Sequence, residues 1–333
     1  MRVLVVGQLS SPHLQRYCDW LYDNNIDVFP MGSADVDSIK YMIDLFKPDI
    51  VHAMFVPIWG TAVYQTGFHP YVLTALGSDL LRPEGFLDML KGEQLSDVVS
   101  HAHEIFALSN ELRDKAIEFG ADPARVHYLH LGIDPEIFRE GYSPLWNRFH
   151  KNAGTKVILS CRHMHRLYNH ETIVRALPAV VSELGDVSLV HIDPNGDPDY
   201  YGEIADLIDE VGMTDHVFSQ KALPYTQMPW AFNACDVAIG IPSTDGLPLT
   251  MLEALSCRKP YIGTDTCENR NFLPKKWLIE DVHDPDEVAK KLIMALKHRY
   301  SEDELDAGRS MVETNFNQDI LMKRAVSIYR RLI

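Results

Sequence analysis

Basic residues are in short supply in this chain: 31 Lys and Arg stand against 47 Asp and Glu, a formal charge of −16 over 333 residues. Nucleic acids are held through basic surfaces, so this balance argues against a nucleic-acid ligand. It also weighs against docking on an anionic membrane through a broad cationic patch. Cysteine is sparse too. The five thiols, Cys18, Cys161, Cys235, Cys257 and Cys267, are odd in number, widely spaced and set among apolar neighbours. With no Cys-x-x-Cys pair, they suit free thiols in a reducing cytosol rather than a disulfide framework or a zinc unit. No apolar run approaches the roughly 20 residues of a membrane span. The opening Met1-Arg2-Val3-Leu4-Val5-Val6-Gly7 passes straight into a strand and turn pattern, unlike a signal peptide. Together these absences predict a cytoplasmic protein with at most peripheral membrane contact, at the inner face.

What is present is an alternation of short apolar runs with helical patterns. Residues 3–6, 27–29, 50–52, 71–74, 105–109 and 126–130 read as strands, with helices at 13–24, 36–46 and 111–119. The series restarts after about residue 150, with strands at 157–160, 187–192, 237–241 and 261–263 and helices at 171–184, 200–211 and 248–257. Alternation of this kind implies an α/β protein of parallel sheets covered on both faces, twice over. At 46% hydrophobic residues, the chain can fill two cores of ordinary domain size. Pro144, Gly154 and scattered polar residues mark 141–155 as the linker. The expected division is 1–150, 151–317 and a terminal helix in 318–333.

The segment richest in chemistry is Asp245-Gly246-Leu247-Pro248-Leu249-Thr250-Met251-Leu252-Glu253, directly after the apolar run 237–241. The run predicts a buried strand, 242–246 a tight loop, and Pro248 the first helical residue. Glu253 then falls in the second helical turn, with Leu249 and Cys257 on its own stripe. A carboxylate on such a stripe is costly to bury without a partner. The loop also aims backbone N–H groups and the positive end of a helix dipole forward, which suits an anion. Two acids at this spacing alone also fit an ordinary strand, turn and helix.

The surrounding residues decide between these readings. Pro242-Ser243, Gly246, Pro248 and Leu252-Glu253-Ala254 together resemble the nucleotide-sugar signature of family 4 retaining glycosyltransferases, which have the GT-B fold: two doubly wound Rossmann-like domains facing across a cleft. The resemblance extends along the chain, through the 47–53 segment Lys-Pro-Asp-Ile-Val-His-Ala, the Gly77-Ser78-Asp79 triplet typical of one subgroup, and the 107–112 and 131–138 stretches. It implies a terminal helix that crosses back to the first domain. It also implies that Glu253 holds the ribose hydroxyls of a donor nucleotide. Asp245, one methylene shorter than the family's Glu, faces the sugar, and the turn Gly246-Leu247-Pro248-Leu249-Thr250 faces sugar and diphosphate with its backbone.

The resemblance places further residues around these. Relatives carry an Arg just after the first strand of the second domain and a Lys five residues later, both on the diphosphate. Arg162 fits the first position; Leu167 occupies the second, and Arg166 is the nearest substitute. Gly7 allows close backbone approach after the first strand, and Ser10 or Ser11 is a candidate helix cap. Many relatives have a His where Leu76 stands, and Asp79 is the candidate to orient a donor or acceptor hydroxyl instead, or else to cap a helix starting near Leu80. His163, His165 and His170 lack a clear fourth ligand for zinc, and the resemblance implies no obligatory metal. Backbone groups near 218–222 are the expected reader of the base. The activity implied is retaining transfer of a sugar from a UDP- or GDP-sugar to a hydroxyl of a glycan, a lipid-linked sugar or a metabolite. The alternatives are a sugar-nucleotide epimerase on the same fold and a non-catalytic nucleotide-sugar-binding subunit.

Overall fold

The computed structural model describes residues 1–82, 92–193, 196–265 and 267–333. They form two compact units: 1–132 together with 318–333, and 133–317. The first unit contains a six-stranded sheet in the order β2 (Asp27–Met31), β1 (Arg2–Val6), β3 (Ile50–Met54), β4 (Tyr71–Ala75), β5 (Glu104–Ala107), β6 (Val126–Tyr128). The second contains another, ordered β12 (Leu278–Ile279), β11 (Tyr261–Thr264), β10 (Val237–Ile239), β7 (Lys156–Ser160), β8 (Val187–Asp193), β9 (Val217–Lys221). Every pairing is parallel. Strands β3 and β4 are buried at every residue, which is why they read as unbroken apolar runs rather than alternating ones.

Strands β9 and β12 escape the apolar pattern. β9 is an edge strand with no fully buried residue, and β12 is two residues long. Ser109, expected at a strand end, instead caps the helix Asn110–Glu118, its Oγ accepting from Leu112 N at 3.1 Å. Ser11 is the N-cap of the helix Pro12–Asp23 without a side-chain capping bond. The stretch expected as a linker packs within the second unit. There Ser143 Oγ donates to the Trp230 carbonyl at 2.5 Å, and His150 Nε2 lies 3.0 Å from that of Ala234.

The helix Gln318–Tyr329 belongs to the first unit and is tied in by a buried polar chain. Tyr17 and Tyr329 share a hydroxyl contact of 2.6 Å, Tyr329 meets His52 Nδ1 at 2.5 Å, and His52 Nε2 meets Thr74 Oγ1 at 2.7 Å. Burial pushes the His52 pKa down to about 3. The unfolded chain therefore binds a proton between roughly pH 6.5 and 3 that the folded chain refuses. This stability is complete above that window and lost as pH falls into it, by up to about 1.4 kcal/mol per pH unit. Urea midpoints at pH 7, 6 and 5 should fall steeply for the wild type and less for His52→Gln; parallel curves would rule the mechanism out.

Candidate functional site

In the second sheet the strand order reverses between β7 and β10: β8 and β9 lie on one side, β11 and β12 on the other. In doubly wound sheets, ligands bind beyond the carboxyl ends of the strands at such a reversal. β7 ends at Ser160 and β10, its parallel neighbour, at Ile239, so Cys161-Arg162 and the loop from Gly240 to Pro248 emerge side by side. Residues 83 positions apart meet there: Arg162 Nη2 donates to Asp245 Oδ2 at 2.5 Å.

The Arg162 guanidinium is held from several sides. It lies 4.4 Å from the centre of the Tyr168 ring, and its Nη1 reaches Thr250 Oγ1 at 3.5 Å. The Tyr261 hydroxyl, at the start of β11, approaches Thr250 Oγ1 at 3.3 Å. Gly240 permits this, since a Cβ there would stand 2.3 Å from the Tyr261 oxygen. Burial favours loss of the Arg162 proton; the Asp245 carboxylate, with Tyr168 and Tyr261, outweighs it and holds the cation more firmly than usual. Asp245 also turns its other oxygen, Oδ1, to the Gly246 N–H at 2.9 Å. The loop base is fixed by Asn169, which donates to the Ile241 carbonyl at 2.7 Å and to Ser243 Oγ at 3.0 Å.

The helix that follows runs Leu249–Ser256, with Pro248 as its N-cap at φ −65°, ψ 125°. Pro248 therefore stands one place ahead of the first helical residue, and Leu249 and Thr250 open the helix. Met251 N already donates to the Pro248 carbonyl at 3.2 Å, so the first-turn N–H groups suited to an anion are those of Leu249 and Thr250. Leu247 in the loop is buried, and Glu253 is buried in the second turn of the helix. Burial and then the Glu253 carboxylate raise the Cys161 and Cys257 thiols above their ordinary range, to well above it for Cys161. Glu253 is thus within electrostatic reach of Cys161, the residue before Arg162. Cys18, Cys161, Cys235 and Cys257 are free thiols; the side chain of Cys267 lies outside the described residues.

Three expected site residues have other employment. Arg166 is exposed and pairs with Glu203, its guanidinium 5.1 Å from the Tyr200 ring. Its partners sit on the helix Pro198–Glu210, not on the loop that meets Arg162. Gly7 gives its N–H to the Met31 carbonyl at 2.9 Å, and a Cβ on it would stand 2.6 Å from Leu14 Cδ1. That glycine serves helix packing on β1. Asp79 is completely buried, its carboxylate accepting from Gly77 N at 2.7 Å, Leu76 N at 3.0 Å and Val56 N at 3.3 Å. Burial raises its pKa, and those amides pull it partly back. A carboxylate so enclosed holds loops, here the turn at Phe55, whose φ of +89° is strained for a residue with a side chain.

The histidines flanking Arg162 are likewise engaged locally. His165 Nδ1 accepts from Leu167 N at 3.2 Å, and His170 Nε2 meets the His163 carbonyl at 2.8 Å. Among the described residues, no group of three or more His, Cys, Asp or Glu is placed to hold a metal ion. Tyr261 and Asn169 escape sequence reasoning because each acts through a residue brought alongside only by the tertiary fold, and Tyr168 because its stacking on Arg162 six positions back depends on the course of the loop.

Comparison with solved structures shows the fold. Anabaena HepE, crystallised with UDP-glucose, matches over 100% of both chains at a TM-score of 0.78 and 15% identity. Sucrose-phosphate synthase from Thermosynechococcus elongatus matches over 100% of this chain and 99% of its own at a TM-score of 0.83 and 12% identity. The two-domain fold is that of the GT-B glycosyltransferases. Two family models then match most of the chain: Glycosyltransferase Family 4 over residues 20–137 and Glycosyl transferases group 1 over residues 146–310. The chain belongs to glycosyltransferase family 4. Among curated proteins, D-inositol 3-phosphate glycosyltransferase 1 of Catenulispora acidiphila is 22% identical over 72% of this chain and 59% of its own length. The Mycobacteroides abscessus D-inositol 3-phosphate glycosyltransferase is 24% identical over 61% of this chain and 46% of its own. The matched region thus spans about half to three fifths of those relatives. No helix among the described residues is long and apolar enough to cross a membrane.

Proposed function

We propose that this chain is a cytoplasmic, retaining glycosyltransferase that moves a sugar from a UDP- or GDP-sugar to a hydroxyl acceptor. The observation that carries the reading is the meeting of Arg162, Asp245 and Thr250 at the β7/β10 reversal, beside the buried Glu253. In this reading Glu253 accepts from the ribose hydroxyls. Arg162 and the first-turn amides of the helix Leu249–Ser256 face the diphosphate and offset the charge that grows on it as the glycosidic bond breaks. No obligatory metal is then required. Asp245 both orients Arg162 and faces the sugar. Attack comes from the same face, the departing phosphate taking the acceptor proton, and positioning carries most of the rate. A UDP-glucose-binding structural neighbour and relatives named for a polyol phosphate acceptor support a nucleotide-sugar donor and a ring-hydroxyl acceptor.

A second reading, a nucleotide-sugar-binding subunit without transferase activity, draws on Arg166 being turned to Glu203 and Asp79 being enclosed. One experiment serves both. UDP, GDP and ADP with their sugars, each at about 100 times the dissociation constant, would stabilise the folded state by roughly 2.7 kcal/mol. The expected result is a melting shift with one nucleotide series, most of which Glu253→Ala loses. Wild-type protein indifferent to every nucleotide would end the donor-site reading. Binding without turnover on any hydroxyl acceptor would favour the subunit.

A further inference from the structure

Two arginines bracket the far end of the helix that carries Glu253. Arg309, on the helix Glu302–Asn315, donates through Nη1 to the carbonyl of Ser256, the last residue of the helix Leu249–Ser256, at 2.9 Å. The same nitrogen reaches the Phe138 carbonyl at 3.4 Å, and Nη2 reaches that of Pro135 at 3.3 Å. Its Nε pairs with Glu313 at 2.7 Å, which fixes the plane of the fork. Ser256 Oγ donates to the Phe138 carbonyl as well, at 2.6 Å. Arg258 reaches the other way, to Glu140 at 2.8 Å, to Asp306 at 3.1 Å and to Glu302. It does so from φ +57°, a left-handed conformation that is costly for a residue with a side chain.

The two helices lie close because Gly308 faces Leu255, where a Cβ would stand 3.1 Å from Leu255 Cδ2. A helix of eight residues is too short to hold itself, so its axis is set by whatever grips its ends. Glu253 sits in the gripped turn, its carbonyl accepting from Cys257 N at 3.1 Å. A shift at Ser256 is therefore a shift of the Glu253 carboxylate.

We propose that Arg309 is a positioning residue for Glu253, fixing the helix Leu249–Ser256 against residues 135–138 so that the carboxylate meets its ligand. The inference rests on the reading of Glu253 as the nucleotide ligand. It separates from a plain structural role through a double-mutant cycle, because a residue acting through Glu253 loses its effect when Glu253 is absent.

The experiment is calorimetric titration of UDP and GDP into wild type, Glu253→Ala, Arg309→Gln and the double variant. Arg309→Gln should weaken binding about tenfold in the wild-type background and less than about twofold in Glu253→Ala. Equal weakening in both backgrounds, or none in either, overturns the proposal while leaving the donor site standing. Wild-type protein that binds neither nucleotide, or Glu253→Ala that binds as well as wild type, overturns the donor reading and the proposal with it. Should Arg309→Gln fail to fold by circular dichroism, the cycle is read on Arg309→Lys. That variant keeps one donor at the Ser256 carbonyl and should show a smaller weakening that again vanishes without Glu253.

Discussion

Arg162→Ala is expected to abolish sugar transfer and to destabilise the second unit in the same stroke. The guanidinium and its partner Asp245 are 12% and 20% exposed and 2.5 Å apart, so both charges are largely withdrawn from water. Removing one partner of such a pair leaves the other uncompensated, at a cost of about 3 kcal/mol. The double variant Arg162→Ala/Asp245→Ala should recover much of that stability, because no lone charge remains, and recover no activity. Arg162→Lys should fail to restore transfer, since a point charge lacks the planar fork that spans Asp245 and Thr250 together. Urea unfolding and a donor-consumption assay on the four proteins decide it. Stable, active Arg162→Ala would remove this residue from the site.

The second large effect is expected at Asp79, and on stability rather than chemistry. Asp79→Ala leaves the N–H groups of Val56, Leu76 and Gly77 without their acceptor in a place closed to water. At about 1 kcal/mol or more for each stranded donor, the loss is at least about 3 kcal/mol. It should appear as a lower urea midpoint of the first unit and faster proteolysis of the turn at Phe55. Asp79→Asn keeps an acceptor oxygen, so it should lose less stability and retain turnover within about tenfold of wild type. A folded Asp79→Asn protein inactive by several orders of magnitude would return Asp79 to the reacting centre.

Asp79 also marks where local reading of the sequence stops. A Gly-Ser-Asp triplet beyond a strand fits equally a carboxylate offered to a sugar and one capping a short helix, because both need the same residue in the same turn. The structure shows a third arrangement: Asp79 sits inside the helix Ser78–Leu81, whose N-cap is Gly77, and its buried carboxylate accepts from the N–H groups of Val56, Leu76 and Gly77. Arg166 poses the same problem. It is the cation nearest to Leu167, the position where relatives carry a phosphate-binding Lys, but the side chain follows Glu203 and Tyr200, which come from a helix more than thirty positions away.

The sequence alone determined the alternation of strand and helix, the two cores and the strand-loop-helix shape of 237–257. These follow from periodicity and turn chemistry, which act between near neighbours. Arg162, Asp245 and Glu253 were singled out by the resemblance of their surroundings to the family 4 glycosyltransferase motifs. Only the tertiary structure decided that Arg162 pairs with Asp245, that Tyr168 and Tyr261 brace the guanidinium, and that His52 joins Tyr329 across 277 positions. It also decided that Arg309 grips the helix of Glu253. Apart from the Tyr168 contact, which the course of its loop sets, these contacts join segments far apart in the chain, and their meeting is chosen by the packing of whole cores, which no short window of sequence contains.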